Sequence, residues 1–250
     1  MTVSATPRLH FLDALRGLML ISMTVYHGMW NLVHLYDIDG AWFTGPIGYV
    51  WQQSICWTFI LLAGFCWQLS RNHLKRGLLI FGGGILVSLV THLLMPASRI
   101  TFGILTFTGS AVLLMIPLEK PLKKVPATAG LSVSAAAFFL LRNVPKGTLG
   151  FEGIVLGVLP RTLYRNYLTA YFGFMPWDFY SADYFPLIPW LLLFLCGYFL
   201  FRIFNDRGWN KRFFFRGHIP VLNFLGRNSL LVYLLHQPIV YGLMALLLKL

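Results

Sequence analysis

The sequence predicts an all-α membrane protein, a polytopic bundle of about seven transmembrane helices, and three observations support this fold class. Hydrophobic residues make up 57% of the 250 positions. Charged residues make up only 11%, against about 25% in ordinary soluble domains. The net charge of +12 comes mostly from Lys and Arg between the apolar runs, as in cytoplasmic loops of membrane proteins. This composition excludes a soluble domain and a disordered chain. Because cytoplasmic loops account for the basic charge, no nucleic-acid partner is expected.

Seven segments carry enough apolar residues to cross a bilayer, which takes about 20 residues per helix. In chain order they are 9–36, 46–69, 77–95, 102–118, 125–141, 184–204 and 221–248. The first is too long for a signal-peptide core and contains Asp13 and Arg16, so it is interpreted as a retained helix. With no internal repeat, residues 1–250 are interpreted as one membrane domain in a bacterial plasma membrane.

The distribution of basic residues predicts that the N-terminus is inside and the C-terminus outside. With this orientation, twelve Lys and Arg residues fall on the cytoplasmic side and six on the other, and cytoplasmic loops are the basic ones. The long connection 142–183 is then an outer loop. Its many aromatic residues fit either an interfacial belt or a lid and acceptor platform.

Polar residues in the first segment fall on one face. At 100° per residue, five of them share an arc of roughly 60°: Asp13, Arg16, His27, Asn31 and His34. Ionisable residues are costly in a membrane helix and usually mark a functional site. The stripe therefore predicts the lining of a site or pathway; the alternative is a structural polar seam between helices.

Two levels of polar residues are predicted from the helical rise. His27 lies about 16 Å beyond Arg16, and in the last segment His236 lies about 13 Å beyond Arg227. Both segments enter from the same side, so the two Arg are expected to share a cytoplasmic level and the two His an outer level. Arginine suits phosphate, and a neutral histidine suits general-base catalysis.

The remaining titratable residues are interpreted more simply. Asp183, at the outer mouth, would orient an imidazole or bind an acceptor, unless it is a solvated loop carboxylate. The three cysteines, Cys56, Cys66 and Cys196, stand in apolar runs without a metal-binding spacing. They are interpreted as small buried hydrophobic residues, and no metal site is expected.

Five stretches, in this order along the chain, resemble a known family. They are RLHFLDALRG (8–17), followed by His27; FILLAG (59–64); RITFGIL (99–105); SADYFPLIPW (181–190); and LGRNSLLVYLLHQP (225–238). The first resembles the opening of the transmembrane acyltransferase superfamily. Together they resemble small bacterial members of the heparan-α-glucosaminide N-acetyltransferase catalytic-domain family.

The resemblance implies an enzyme that moves an acetyl group from cytosolic acetyl-CoA to an extracytoplasmic glycan or small acceptor, at a sugar amine or hydroxyl. The implied CoA-phosphate ligands are Arg16, Arg227, Arg71, Lys75 and Arg76. His27 would be the general base or an acetyl carrier, with His236 and Asp183 as further catalytic candidates. Animal members carry their catalytic histidine after the first helix, so His34 is the alternative to His27.

Four further residues are implied to line or support the site. They are Asp13, Asn31, Arg99 and Thr106, and many bacterial relatives carry Asp in place of Asn31 and His in place of Thr106. The expected partners are the lipid bilayer and the acceptor, with homo-oligomers left open. Two other functions stay open: a proton-coupled transporter or flippase for a polar lipid or solute, and an inactive envelope scaffold.

Overall fold

The structure is a computed structural model, and it describes residues 9–209 and 219–247. Arg8 of the first motif and the end of the last predicted segment at Leu248 lie outside the described residues. The long helices are α1 (His10–Leu35), α3 (Pro46–Phe65), α4 (His73–Leu94), α5 (Ile104–Lys124), α6 (Ala127–Leu141), α8 (Leu187–Asp206) and α10 (Ser229–Leu247). Shorter helices are α2 (Ala41–Thr44), α7 (Tyr167–Phe172) and α9 (Pro220–Arg227), and one hairpin joins β1 (Thr148–Phe151) to β2 (Ile154–Val158).

Six segments of the described chain are helical, long and apolar enough to cross a membrane. They are Pro46–Leu69, His73–Leu94, Ile104–Lys124, Ala127–Lys146, Leu187–Asp206 and Ser229–Leu247. This confirms a multi-pass, mainly helical protein. Helix α1 is the longest, at 26 residues, but its polar stripe keeps it out of this set. Its crossing, the count of seven and the orientation stay predictions.

Several predicted helix ends were wrong, and the largest error is in the last segment. The predicted 221–248 helix is two helices, because the backbone leaves the helical conformation at Asn228, whose amide side chain donates to the Phe224 carbonyl. Helix α5 extends six residues past its predicted end. An ion pair between Lys123 Nζ and Glu119 Oε1 at 2.7 Å helps this polar extension. Helix α4 begins at His73, where the Asn72 side chain accepts from Lys75 N–H.

The chain forms two compact units. The first contains the described residues up to Phe59 and from Phe204 onwards, and the second contains Ile60–Ile203. The interpretation of residues 1–250 as one membrane domain stays a prediction.

In the first unit, α1 packs along α9 and α10. Two glycines bring α1 and α9 into backbone contact: a Cβ added to Gly17 would lie 2.1 Å from the Leu222 carbonyl oxygen, and one added to Gly226 would lie 1.9 Å from the Asp13 oxygen. Small residues commonly allow such close approach between membrane helices. Asn223, fully buried, donates from its amide to the His10 carbonyl at 2.6 Å. This crossing brings the first turns of α1 against the end of α9.

In the second unit, α4 packs along α5, and the hairpin folds onto the end of α6. Gly84 allows α4 to approach α5 closely, since a Cβ there would lie 2.5 Å from Thr106 N and from its hydroxyl oxygen. The long connection 142–183 is folded rather than extended, because it contains the hairpin, α7 and several aromatic contacts.

Candidate functional site

One carboxylate holds two arginines at the start of α1. Asp13 is only 8% exposed. Its Oδ1 lies 3.3 Å from Arg16 Nη1, and its Oδ2 lies 3.7 Å from Nε of Arg227. Arg16 also donates to the Gly226 carbonyl at 3.4 Å. The two arginines therefore lie at one level, and the cytoplasmic position of that level stays a prediction. With two positive charges and one negative, the cluster formally keeps one positive charge.

Two imidazoles meet where α1 packs against α10. The ring centroids of His27 and His236 lie 4.9 Å apart, so the two histidines share one level, and its outer position stays a prediction. Gln237 Nε2 lies 3.1 Å from Nδ1 of His27, so this amide donates to a bare ring nitrogen and leaves the proton on Nε2. Nδ1 of His236 faces the Tyr233 carbonyl. Because a carbonyl only accepts, this nitrogen carries the proton of a neutral His236 ring.

The other nitrogen of His236 is free to accept a proton. His236 is 7% exposed, and its Nε2 is buried without a hydrogen-bond partner among the described residues. A bare ring nitrogen is the group that a general base needs. The pair therefore combines one lone pair, on His236, with one N–H, on His27.

The remaining two residues of the stripe separate. Asn31, one turn beyond His27, is 3% exposed, and its Nδ2 has no partner in the described part of the chain. His34 is exposed and stacks on Trp30, with ring centroids 4.7 Å apart and an interplanar angle of 11°. Its Nδ1 lies 3.0 Å from the Trp30 carbonyl. The structure therefore places His27 and Asn31 inside the unit and His34 at its surface.

Sequence reasoning missed Gln237 and the aromatic residues around the pair. Gln237 was not a candidate because its amide side chain does not titrate, although Gln237 directly follows His236 in the motif. Tyr26 packs on Phe43 and Trp51 with ring centroids 4.9 and 5.3 Å apart. Trp51 also donates from Nε1 to Ser22 Oγ at 2.8 Å. Phe43 and Trp51 belong to the segments that follow α1. Composition alone does not distinguish such aromatic residues from lipid-facing ones.

Asp183 lies in the second unit, where it caps a helix. Its Oδ2 accepts from the N–H of Ile104, the first residue of α5, at 3.1 Å. Ser181 Oγ donates to the Asp183 carbonyl and accepts from Thr101 N–H. Burial raises the pKa of the Asp183 carboxyl to about 6. These contacts fit a structural cap, and a catalytic role stays a prediction.

The other candidates of the second unit are dispersed. Arg99 lies over the Tyr180 ring, 5.3 Å from its centroid. Thr106 is buried in α5, and its backbone carbonyl accepts from the Ser110 hydroxyl. Arg71 and Lys75 are exposed and Arg76 is partly exposed, all near the start of α4. Within the described ranges, no group of three His, Cys, Asp or Glu residues is placed to hold a metal ion.

Comparison with known proteins gives one match. A sequence model described as heparan-alpha-glucosaminide N-acetyltransferase, catalytic, matches residues 8–238. Searches of curated proteins and of solved structures found no match. The matched range covers nearly the whole chain and includes the Asp13 cluster and both histidines of the pair. The chain therefore belongs to the heparan-α-glucosaminide N-acetyltransferase catalytic family, a family of membrane acetyltransferases.

Proposed function

We propose that the protein transfers the acetyl group of acetyl-CoA to an amine or hydroxyl of an extracytoplasmic sugar or small acceptor. The single observation that carries this proposal is the His27–His236 pair, with its buried bare nitrogen. Helix α1 carries both His27 and Arg16, and α9, which ends at Arg227, directly precedes the α10 helix of His236. Membership of an acetyltransferase family supports the reaction type. The family implies acetyl-CoA as the donor. The separate positions of the arginines and the histidines support separate roles in donor binding and in catalysis.

The arginines are the proposed phosphate ligands. The Arg227 side chain is 38% exposed, with its Nε 3.7 Å from Asp13 and its Nη2 3.4 Å from Nδ1 of His10. Arg16 is more enclosed, at 16% exposed. A CoA phosphate at this cluster would meet a formal positive charge and N–H donors suited to bidentate contact. The further assignment of Arg71, Lys75 and Arg76 to CoA phosphates stays a prediction.

The histidine pair is the proposed base. The bare Nε2 of His236 takes a proton from the acceptor amine or hydroxyl as that group attacks the thioester carbonyl. The carbon–sulfur bond then breaks, and the departing CoA thiolate recovers a proton from the imidazolium. His27, held by Gln237, presents its N–H to the charge that develops on the carbonyl oxygen. In a ping-pong variant, an imidazole nitrogen carries the acetyl group between the two half-reactions.

The test is acetyl transfer by the purified full chain, with radiolabelled acetyl-CoA and a panel of amino sugars and neutral sugars. General-base catalysis contributes typically 10²–10⁴-fold, so His27→Ala and His236→Ala should each lose activity on about that scale. The matched control is His34→Ala, an exposed histidine on the same helix, which should retain near-normal turnover. Labelled protein formed before acceptor is added would identify the ping-pong route.

Two results would contradict the proposal. Activity that survives His27→Ala but disappears in His34→Ala would move the site to the helix end. Unchanged turnover in His27→Ala, His236→Ala and His34→Ala would show that these histidines are not catalytic. Acceptor-independent proton uptake with solute movement in vesicles would then favour the transporter.

A further inference from the structure

The β1–β2 hairpin carries an unusual set of exposed apolar side chains. Ile154 is 63% exposed, Val155 57%, Leu156 69% and Val158 79%. Successive residues of a strand point to opposite faces. Ile154, Val155 and Leu156 are consecutive, so both faces of β2 are apolar and uncovered by the described residues. Single exposed apolar residues are ordinary, but a contiguous patch marks an interaction surface.

The hairpin is fixed in place rather than dangling. Asn143, 1% exposed, donates from its amide to the carbonyls of Glu152 and Ile154 at 3.0 and 3.2 Å. Its own N–H donates to the Gly150 carbonyl at 3.2 Å. Arg142 Nε lies 3.3 Å from Glu152 Oε1, and its guanidinium lies over the Trp190 ring, 4.6 Å from the centroid. The end of the α6 segment and the hairpin therefore form one rigid arrangement.

The patch continues the exposed apolar face of a candidate membrane span. The candidate span Ala127–Lys146 ends two residues before β1 begins. Phe139, on the exposed side of α6 and itself 46% exposed, contacts Phe151 of β1 with ring centroids 5.0 Å apart. The exposed face of the span and the hairpin are thus continuous at the C-terminal end of that span.

We propose that the hairpin is an interfacial membrane anchor, with β2 immersed among the headgroups and upper acyl chains of the leaflet at the C-terminal end of α6. Only immersion covers both faces of β2. The outer edge of β2 still needs water or headgroups for its backbone groups, because an open sheet edge is not tolerated in hydrocarbon. An interfacial depth satisfies both conditions.

The rival occupant is a second copy of the chain. Strand addition at the β2 edge would satisfy its backbone but would leave the side chains above and below the sheet uncovered. A lipid interface covers them without a partner.

The experiment measures the lipid contact of a fluorophore on β2. Leu156→Cys is labelled with bimane in a full-length background in which Cys56, Cys66 and Cys196 are replaced by Ala. The protein is placed in nanodiscs of phosphatidylcholine and phosphatidylglycerol. Quenching is compared for nitroxides near the lipid carbonyls and near the acyl-chain ends. Thr162→Cys, an exposed polar site in the same connection, is the matched control.

The expected result is a blue-shifted emission at Leu156 relative to Thr162, with stronger quenching by the shallow nitroxide, as an interfacial depth of about 5–10 Å requires. Val158→Cys repeats the measurement if the Leu156 variant folds poorly. Emission at both β2 sites equal to that at Thr162, without lipid quenching, would overturn the proposal. Blue-shifted emission without lipid quenching, together with short label-to-label distances between copies, would assign the surface to a second copy instead. None of these readouts depends on acetyl transfer.

Discussion

At the scale of single residues, Asp13 decides what the two arginines near the start of α1 can do. Its carboxylate pairs with Arg16 and Arg227 together, so each guanidinium shares one counter-charge. The cluster formally keeps one positive charge, and the proposed CoA phosphate would meet that charge.

Replacing either arginine tests this assignment. Charge-assisted hydrogen bonds contribute roughly 1.5–3 kcal/mol, so Arg16→Gln or Arg227→Gln should weaken acyl-CoA binding about tenfold to a hundredfold. Binding is measured by titration calorimetry on the detergent-solubilised protein. Arg165→Gln, at an exposed position of the long connection, is the control for net charge.

The same titration on Asp13→Asn separates the two roles. Removing the carboxylate leaves both guanidinium groups available, so CoA affinity should be retained or increased while the thermal midpoint falls. Unchanged affinity in both Gln variants would leave Arg16 and Arg227 as structural partners of Asp13.

Asp183 makes stability depend on pH. Burial raises the pKa of its folded-state carboxyl from 3.8 to about 6. Between these values the folded state keeps a proton that the unfolded chain has lost, so the free energy of unfolding falls as pH rises. The full effect is up to about 3 kcal/mol. Thermal melts from pH 4 to 7 should therefore show a declining midpoint.

Asp183→Asn is the informative comparison for those melts. Its amide oxygen can still accept from Ile104 N–H, but it does not titrate. The variant should lose the part of the slope between about pH 4 and 6, whereas other carboxyls keep theirs. An identical slope in both proteins would show that the carboxyl titrates as it does in the unfolded chain.

At the scale of helices, the crossing of α1 and α9 depends on two glycines. A Cβ on Gly226 would lie 1.9 Å from the Asp13 carbonyl oxygen, and the obstacle is backbone, which cannot rotate away. Gly226→Ala should therefore separate the helices and cost more than the 1–3 kcal/mol typical of an overpacked core. The thermal midpoint should drop, and CoA binding should weaken because Arg227 moves from Asp13.

Gly242→Ala is the matched control, because no atom lies within 4 Å of a Cβ added there. The substitution lies in α10, where alanine is favoured over glycine by roughly 1 kcal/mol, so the midpoint should stay or rise. Equal behaviour of the two alanine variants would mean that α1 and α9 do not touch as described.

Helix positions followed from the sequence where composition alone decides. Helix α6 was predicted as 125–141 and is found at Ala127–Leu141, because its apolar run has clear polar ends. The break at Asn228 was missed because an apolar-run criterion does not register one polar residue whose side chain bonds to the Phe224 carbonyl. The polar end of α5 was missed because an apolar-run criterion ignores an i, i+4 ion pair.

The site was predictable to the extent that helix periodicity fixes faces and levels. The shared level of Arg16 and Arg227, and that of His27 and His236, follow from that geometry. The direct contact of the two imidazoles does not. The exposure of His34 does not, because it depends on where α1 ends and on its stacking with Trp30. Protonation assignments needed the Gln237 and Tyr233 contacts, which no periodicity encodes.

At the scale of the whole molecule, α1 combines two demands that conflict in a bilayer. It is 26 residues long, enough for about 39 Å. Its polar stripe nevertheless makes it less apolar than the six helices that qualify as membrane spans. Pairing resolves part of the conflict, since Asp13 and the two arginines neutralise one another in part and the histidines meet within the unit. A helix whose polar face is covered by α9 and α10 can cross while its apolar face meets lipid.

Topology mapping tests this crossing and the orientation together. Cysteines are placed singly, in the background without native cysteines, at three exposed positions: Asp39, Arg71 and Thr162. Arg71 is preferred to Asn72, whose side chain caps α4. The charge distribution predicts that an impermeant maleimide labels Asp39 and Thr162 on intact cells, and Arg71 only after permeabilisation. An N-terminal epitope tag should be accessible only after permeabilisation, because α1 separates it from Asp39.

A tag accessible on the same side as Asp39 would reduce the crossings to six and make α1 a helix that does not span. Labelling of Arg71 from outside would reverse the orientation, and with it the side from which acetyl-CoA must enter.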